Sequence, residues 1–260
     1  MTDTEATVAW SDAEDRRGRS TREFRLQRDG RRDVTGALWL PATPRGDGVL
    51  ACFGHGASGD RYQAPIPYLA ARFADELGIP SLSIDGPVHG LRRVEPGGRE
   101  ALWVELQRAS AVEEMIEEWG LAVDLARSLP QIGPGRMVYF GLSMGSGFGI
   151  PFLATRDDVI AAQLGLFGSS EEMLWTLPAH EGAKKISFPL RFFVQLEDEL
   201  FDRPSCLRLF DAFASEDKAI RANPGLHPAI PAEEIDDAFR FLAQRIAGKA
   251  RGPVIDIVAD

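Results

Sequence analysis

One serine in this chain stands between glycines in a setting that could make it a nucleophile. The stretch "RMVYFGLSMGSGFG" contains Gly141-Leu142-Ser143-Met144-Gly145, a G-x-S-x-G pattern with an apolar run before it and a helical run after it. A serine on a sharp strand-to-helix turn has a strained backbone, and neighbours without Cβ let other backbone approach closely. The unpaired N–H groups of the following helix would then face negative charge developing at the serine.

A nucleophilic serine needs a base, and the chain offers four histidines: His55, His89, His180 and His227. His227, in the turn-rich "NPGLHPAIP", follows the last predicted strand and precedes the last helix, so its side chain can reach across the end of a sheet. It is the expected base. The base needs an acid to fix its tautomer. "RFFVQLEDELFDR" runs an apolar strand into Glu197, Asp198, Glu199 and Asp202, and position favours Asp198, with Asp202 next and Glu197 third. Donors for an oxyanion are expected from the N–H groups of Met144 and of Ala57, the latter in the Gly-rich "CFGHGASGD". His55 then reads as a scaffold of that loop. Apolar walls for a substrate are expected from Trp103, Phe148, Met173, Leu174 and Trp175, because ligand sites are concave and rich in aromatics.

These groups must be positioned by elements. "TREFRLQ" and "DVTGALWLP", joined through "RDGR", read as an antiparallel hairpin with an Asp-Gly turn. From residue 48 short apolar runs alternate with amphipathic helices, the rhythm of a parallel sheet covered on both faces. "GVLACFG", "PSLSIDG", "RMVYFG", "VIAAQLGLFG", "LRFFVQLED" and "KAIRANPG" are the strands. "IPYLAARFADELG" and "PAEEIDDAFRFLAQRIAG" are clear helices, and residues 100–129 form a long helix or two with a bend at Gly120-Leu121. Pro151 should bend or shorten the helix after the serine. Residues 1–20 are polar and aperiodic and are expected to be a loosely held arm, followed by one domain over 21–260. Residues 169–187 form a short insertion that fits neither strand nor strong helix.

Composition narrows the function. The net charge is −10, which argues against nucleic acid as a partner, since phosphate binding needs a basic face. No apolar run approaches membrane-spanning length, and the N-terminal residues lack the apolar segment of a secretory signal, so a cytoplasmic location is expected. Two cysteines without CxxC spacing imply neither a disulfide framework nor a metal site, and no cofactor is called for.

Taken in order, "HGASG", "GLSMG", "QLEDELFDR" and "GLHPAIP" resemble the α/β-hydrolase family, and within it the small serine esterases related to dienelactone hydrolases, over about residues 25 to 247. The resemblance implies a mostly parallel sheet with helices on both faces, an N-terminal antiparallel hairpin and a minimal cap. It also implies a Ser143, Asp198, His227 triad, and its acid loop is what raises Asp198 above Asp202. Dienelactone hydrolases proper carry a cysteine nucleophile, so serine here points to a broader esterase. Many relatives have proline where this chain has Asp202. "SIDGPVHGLRR" is similar to a loop that in such hydrolases puts His89 and Arg92 near the mouth of the site. His89 reads there as structural, while Arg92 and Arg93 either bind an acidic group or are solvated. The function implied is hydrolysis of small or medium acyl esters, with possible self-association. The alternatives are a lactone, thioester, peptide or C–C bond cleaved by the same triad, or a hydrolase fold that binds a small molecule without turnover.

Overall fold

The structure is a computed structural model that describes residues 7–12, 14–16 and 19–250. Among the described residues ten strands form one sheet: β1 (Thr7–Trp10), β2 (Glu14–Arg16), β3 (Arg19–Gln27), β4 (Val34–Leu40), β5 (Leu50–Gly54), β6 (Ser81–Ile84), β7 (Met137–Gly141), β8 (Val159–Gly165), β9 (Leu190–Gln195) and β10 (Lys218–Asn223). The helices are α1 (Ile66–Leu77), α2 (Gly98–Glu105), α3 (Ala111–Ser128), α4 (Met144–Leu153), α5 (Leu177–Ala183), α6 (Arg203–Ala212) and α7 (Ala232–Ile246). The strand order is β1-β3-β4-β6-β5-β7-β8-β9-β10, with β2 paired to β3. Pairing is antiparallel from β1 to β6 and parallel from β6 to β10.

The chain leaves β5 through α1 toward β6 on one side and returns through α2 and α3 to β7 on the other. The order therefore reverses at β5 and β7, and in open α/β sheets the crevice at such a reversal, beyond the strands' C-terminal ends, is where ligands bind. β5, β7 and β8 are buried along their whole lengths, as apolar strands covered on both faces must be. Alternation decides which core each residue joins. Tyr139 of β7 meets Trp119 and lies beside a Trp119–Phe152 stack on one face, while Phe140 joins the Phe53–Phe73–Phe239 group on the other. α1 ends where Gly78 takes φ 64°, as its position at the helix stop requires.

Three expectations are corrected. Thr7–Trp10 is not a loose arm but a strand paired with β3, because Val8 and Trp10 alternate inward and Trp10 packs on Phe24 at 5.7 Å. Residues 1–6, 13, 17 and 18 of that arm lie outside the described residues. The 100–129 region is two helices, but they part between Glu105 and Ala111, where Arg108 bonds Glu105, Ser110 and Glu114; Gly120 lies inside α3. Within 169–187 the chain makes a 3₁₀ turn at Leu174–Thr176 and then α5. Small buried residues, Ala179, Gly182 and Ala183, let α5 lie close on α4, and small residues give little hydrophobic contrast in a sequence. The helix holding Pro151 is short, as expected, and α4 ends two residues beyond it. No helix among the described residues is long and apolar enough to cross a membrane.

Candidate active site

Ser143 sits between β7 and α4 with φ 56° and ψ −121°, a conformation that costs a non-glycine residue about 1–3 kcal/mol. Leu166 (φ 51°), just after β8, is the other non-glycine residue with positive φ among those described, and both line the same cavity. The turn is held by buried hydrogen bonds. Ser143 N–H donates to Gly165 O at 2.9 Å. The Ser146 hydroxyl lies 2.7 Å from Gly141 O and 2.8 Å from Gly165 O, and accepts from Gly165 N–H at 2.9 Å. Backbone contact does the rest: a Cβ at Gly145 would sit on the Gly54 carbonyl, so the start of α4 lies directly on the end of β5. Gly149 gives way to Tyr139, whose hydroxyl donates to Gly145 O at 2.8 Å.

His227 Nε2 lies 2.9 Å from Ser143 Oγ, and its Nδ1 lies 2.8 Å from Asp198 Oδ2. The two side chains are buried, Asp198 almost completely. Burial works to raise the Asp198 carboxyl, but the hydrogen bond from His227 and the N–H groups of Phe201 (3.0 Å) and Leu200 (2.8 Å) override it and hold it below the usual carboxylate range. Asp202 is occupied elsewhere: it caps α6, accepting Ser205 N–H at 2.9 Å. Glu197 accepts the N–H of Gly225, and Glu199 accepts the N–H of His227 at 2.8 Å. Gln195, buried at the end of β9, donates to Ala229 O at 2.7 Å. Three consecutive acids and a glutamine thus clasp one histidine loop. A hydroxyl bonded to an imidazole, whose far nitrogen meets a buried carboxylate, can pass its proton to that imidazole.

The loop after β5 is pinned by two buried histidines. His55 Nε2 accepts Gly86 N–H at 2.7 Å, so its proton is on Nδ1 and is donated to Gly56 O at 2.8 Å. Burial first, and neighbouring His89 second, push the His55 pKa down to about 4, so the ring is neutral. In a trans peptide N–H and C=O oppose one another, so the same bond turns Ala57 N–H away from His55. His89 Nε2 meets Ala57 O at 3.0 Å, and burial lowers its pKa too. His180 pairs instead with Ser169 Oγ, 3.1 Å away.

A cavity of about 510 Å³ opens over Ser143 and His227, and Ala57 and Met144 line it. One wall, with Leu102, Leu106 and Phe201, continues one face's core; the other, with Ile66, Leu142 and Ile230, continues the opposite core. Trp103, Met173 and Trp175 line it as well. Phe148 does not: it is buried in the core beneath α4, a helix covered on every side. Leu174 does not either, being 70% exposed on the 3₁₀ turn while its neighbours face inward. Arg92 is neither at the mouth nor solvated. It is buried against Glu118, 2.5 Å away, and against the carbonyls of Asp33, Asp85 and Gly86. Arg93 is exposed beside Glu95. The sequence pattern misses Ser146, Gln195 and Glu199 as holders of the site; the one signal is a glutamine ending an otherwise apolar strand.

No family model matches the chain, and no curated protein does. Solved structures do. A zinc-bound cold-adapted esterase from an Arctic intertidal metagenomic library is 30% identical with a TM-score of 0.75, over 91% of this chain and 99% of that one. An acetyl xylan esterase from Paenibacillus sp. R4 is 18% identical with a TM-score of 0.72, over 92% of this chain and 88% of that one. The alpha/beta hydrolase domain-containing protein 10 from mouse is 14% identical with a TM-score of 0.59, over 87% and 98%. The last two share the fold alone, while the first shares nearly a third of its residues along its whole length, and with a reversal-point cavity over a strained serine the conclusion is that this chain belongs to the α/β-hydrolase family.

Proposed function

We propose that the protein is a serine hydrolase of carboxylic esters, acting through Ser143, His227 and Asp198. The observation that carries this reading is the continuous hydrogen-bonded line from Ser143 Oγ through His227 to Asp198, at a serine with positive φ. The esterases among its structural relatives support the bond type. Ser143 Oγ attacks the ester carbonyl carbon while its proton passes to His227 Nε2. The imidazolium is stabilised by Asp198, and the N–H groups of Ala57 and Met144 hold the oxyanion. The tetrahedral intermediate collapses, the C–O bond breaks, and the alcohol leaves with the proton from Nε2. Water then gives its proton to His227 and attacks the acyl-enzyme; collapse frees the acid, and the proton returns to Ser143. No cofactor enters these steps.

A cavity of about 510 Å³ with apolar walls suits small or medium acyl groups. Ser143→Ala should lower kcat for p-nitrophenyl acetate by about 10⁴-fold or more with unchanged far-UV circular dichroism. The wild type should react with a fluorophosphonate at Ser143. Undiminished hydrolysis by the variant, or a wild type inert to the probe, overturns the reading.

A further inference from the structure

The described arginines of this acidic protein are almost all engaged. Arg61 and Arg92 are sunk onto Asp85 and Glu118, Arg203 and Arg208 reach the carbonyls of Leu196 and Ser169, Arg22 lies on the Trp10 ring, and Arg221 shares the field of Asp237. Arg99 is different. Among the described residues it has no hydrogen bond, ion pair or ring partner, and it lines the cavity over Ser143. It stands in the first turn of α2, one turn from Trp103, which lines the same cavity; residues four apart share a helix face.

The described cavity lining carries no charge opposite to it. No Asp or Glu among the described residues lines the cavity, although the chain's net charge is −10. Of the acids nearest in sequence, Glu105 at the far end of α2 pairs with Arg32 and Arg108, Glu95 pairs with Arg93, and Glu100, next to Arg99, is exposed and does not line the cavity. Ser58, also in the lining, accepts from Gln63 Nε2 at 2.9 Å and keeps its hydroxyl hydrogen for another acceptor. Among the described residues, the cavity therefore has apolar walls, Ser143 and one guanidinium without a partner, that of Arg99.

We propose that Arg99 binds an anionic group of the substrate, so that the esters preferred are those whose acyl part carries a carboxylate, such as half-esters of dicarboxylic acids. The proposal rests on the ester-hydrolase reading. The planar guanidinium offers a carboxylate two parallel N–H bonds, a geometry a neutral ester group cannot use. The reaction is otherwise the same: water cleaves the acyl–oxygen bond, releasing the alcohol and the dicarboxylic acid.

The test compares p-nitrophenyl hemiglutarate with its neutral methyl ester in wild type, Arg99→Met and Arg99→Lys. The anionic-to-neutral ratio of kcat/KM should fall about threefold to fivefold in Arg99→Met, the scale of one charge-assisted contact at an exposed site, and recover in part in Arg99→Lys. It should also fall with added salt in the wild type. A ratio unchanged by Arg99→Met overturns the proposal. If wild type hydrolyses neither ester, the esterase reading fails, and calorimetric binding of glutarate then decides. Weaker binding in Arg99→Met than in wild type upholds the anion site, and equal or absent binding in both rejects it.

Discussion

The elbow and the mouth of the site are built by opposite means. Around Ser143 the backbone itself is the structural material: positive φ at Ser143 and Leu166, glycine against glycine at Gly54 and Gly145, and a buried Ser146 hydroxyl bridging β7 and β8. At the mouth, short helices present side chains to solvent; Trp103 is 55% exposed and Arg99 has no partner among the described residues. Chemistry needs atoms held to a fraction of an ångström, which only an over-determined backbone supplies, whereas choice among substrates needs surfaces that can change without unfolding the site.

Removing a group at the elbow side should therefore cost rate or stability, and removing one at the mouth should move preference. Asp198→Asn is expected to lower kcat by about 10³–10⁴-fold, because the amide cannot fix the His227 tautomer or stabilise its charge; stopped-flow with p-nitrophenyl acetate measures it. The same variant tests linkage. The Asp198 pKa is lowered on folding, so the unfolded chain binds more protons near that pH, and the carboxylate's contribution is present above about 3.9 and lost as pH falls through the lower folded value. Chemical denaturation from pH 6 to 3 should show a shallower loss of stability in Asp198→Asn.

Ser146→Ala should cost about 1–3 kcal/mol, since it strands the N–H of Gly165 in a buried site; urea unfolding reads it, and a cost near zero would mean the elbow does not depend on that bridge. Glu199→Ala frees the His227 N–H and should lower kcat by about threefold to tenfold with little change in KM, with Glu199→Gln, which keeps an acceptor, closer to wild type. The smallest effect is expected at the mouth. Trp103→Ala should raise KM for a longer acyl ester by only about twofold to fivefold and leave kcat for acetate nearly alone. A large loss of kcat there would erase the distinction between the two regions.

What could be read in the sequence divides along the same line. Strands and helices that repeat an apolar period, and a serine flanked at two residues' distance by glycines, are written locally, and His227 lies within hydrogen-bond reach of both Ser143 and Asp198. Arg92 is misread because a sequence displays charge and not burial: its partner, Glu118, lies on another helix, 26 residues away. Phe148 and Leu174 fail for the complementary reason, since nothing local says which side of an apolar segment faces a cavity. Strand β1 is missed because four residues carry only two turns of alternation. Arg99 could not be singled out at all, because being unpartnered is a property of everything around it.

The contact between Gly54 and Gly145 bears on how the protein would lose function with heat. The loop after β5 and the first turn of α4 cannot drift apart one at a time, because no side chain lies between them to cushion a partial opening. Amide hydrogens around Ser143 should then exchange with solvent only when the central strands separate as a unit, while those of α2 exchange through small, frequent openings. On warming, the range of esters accepted would blur before the ability to cleave any of them disappears.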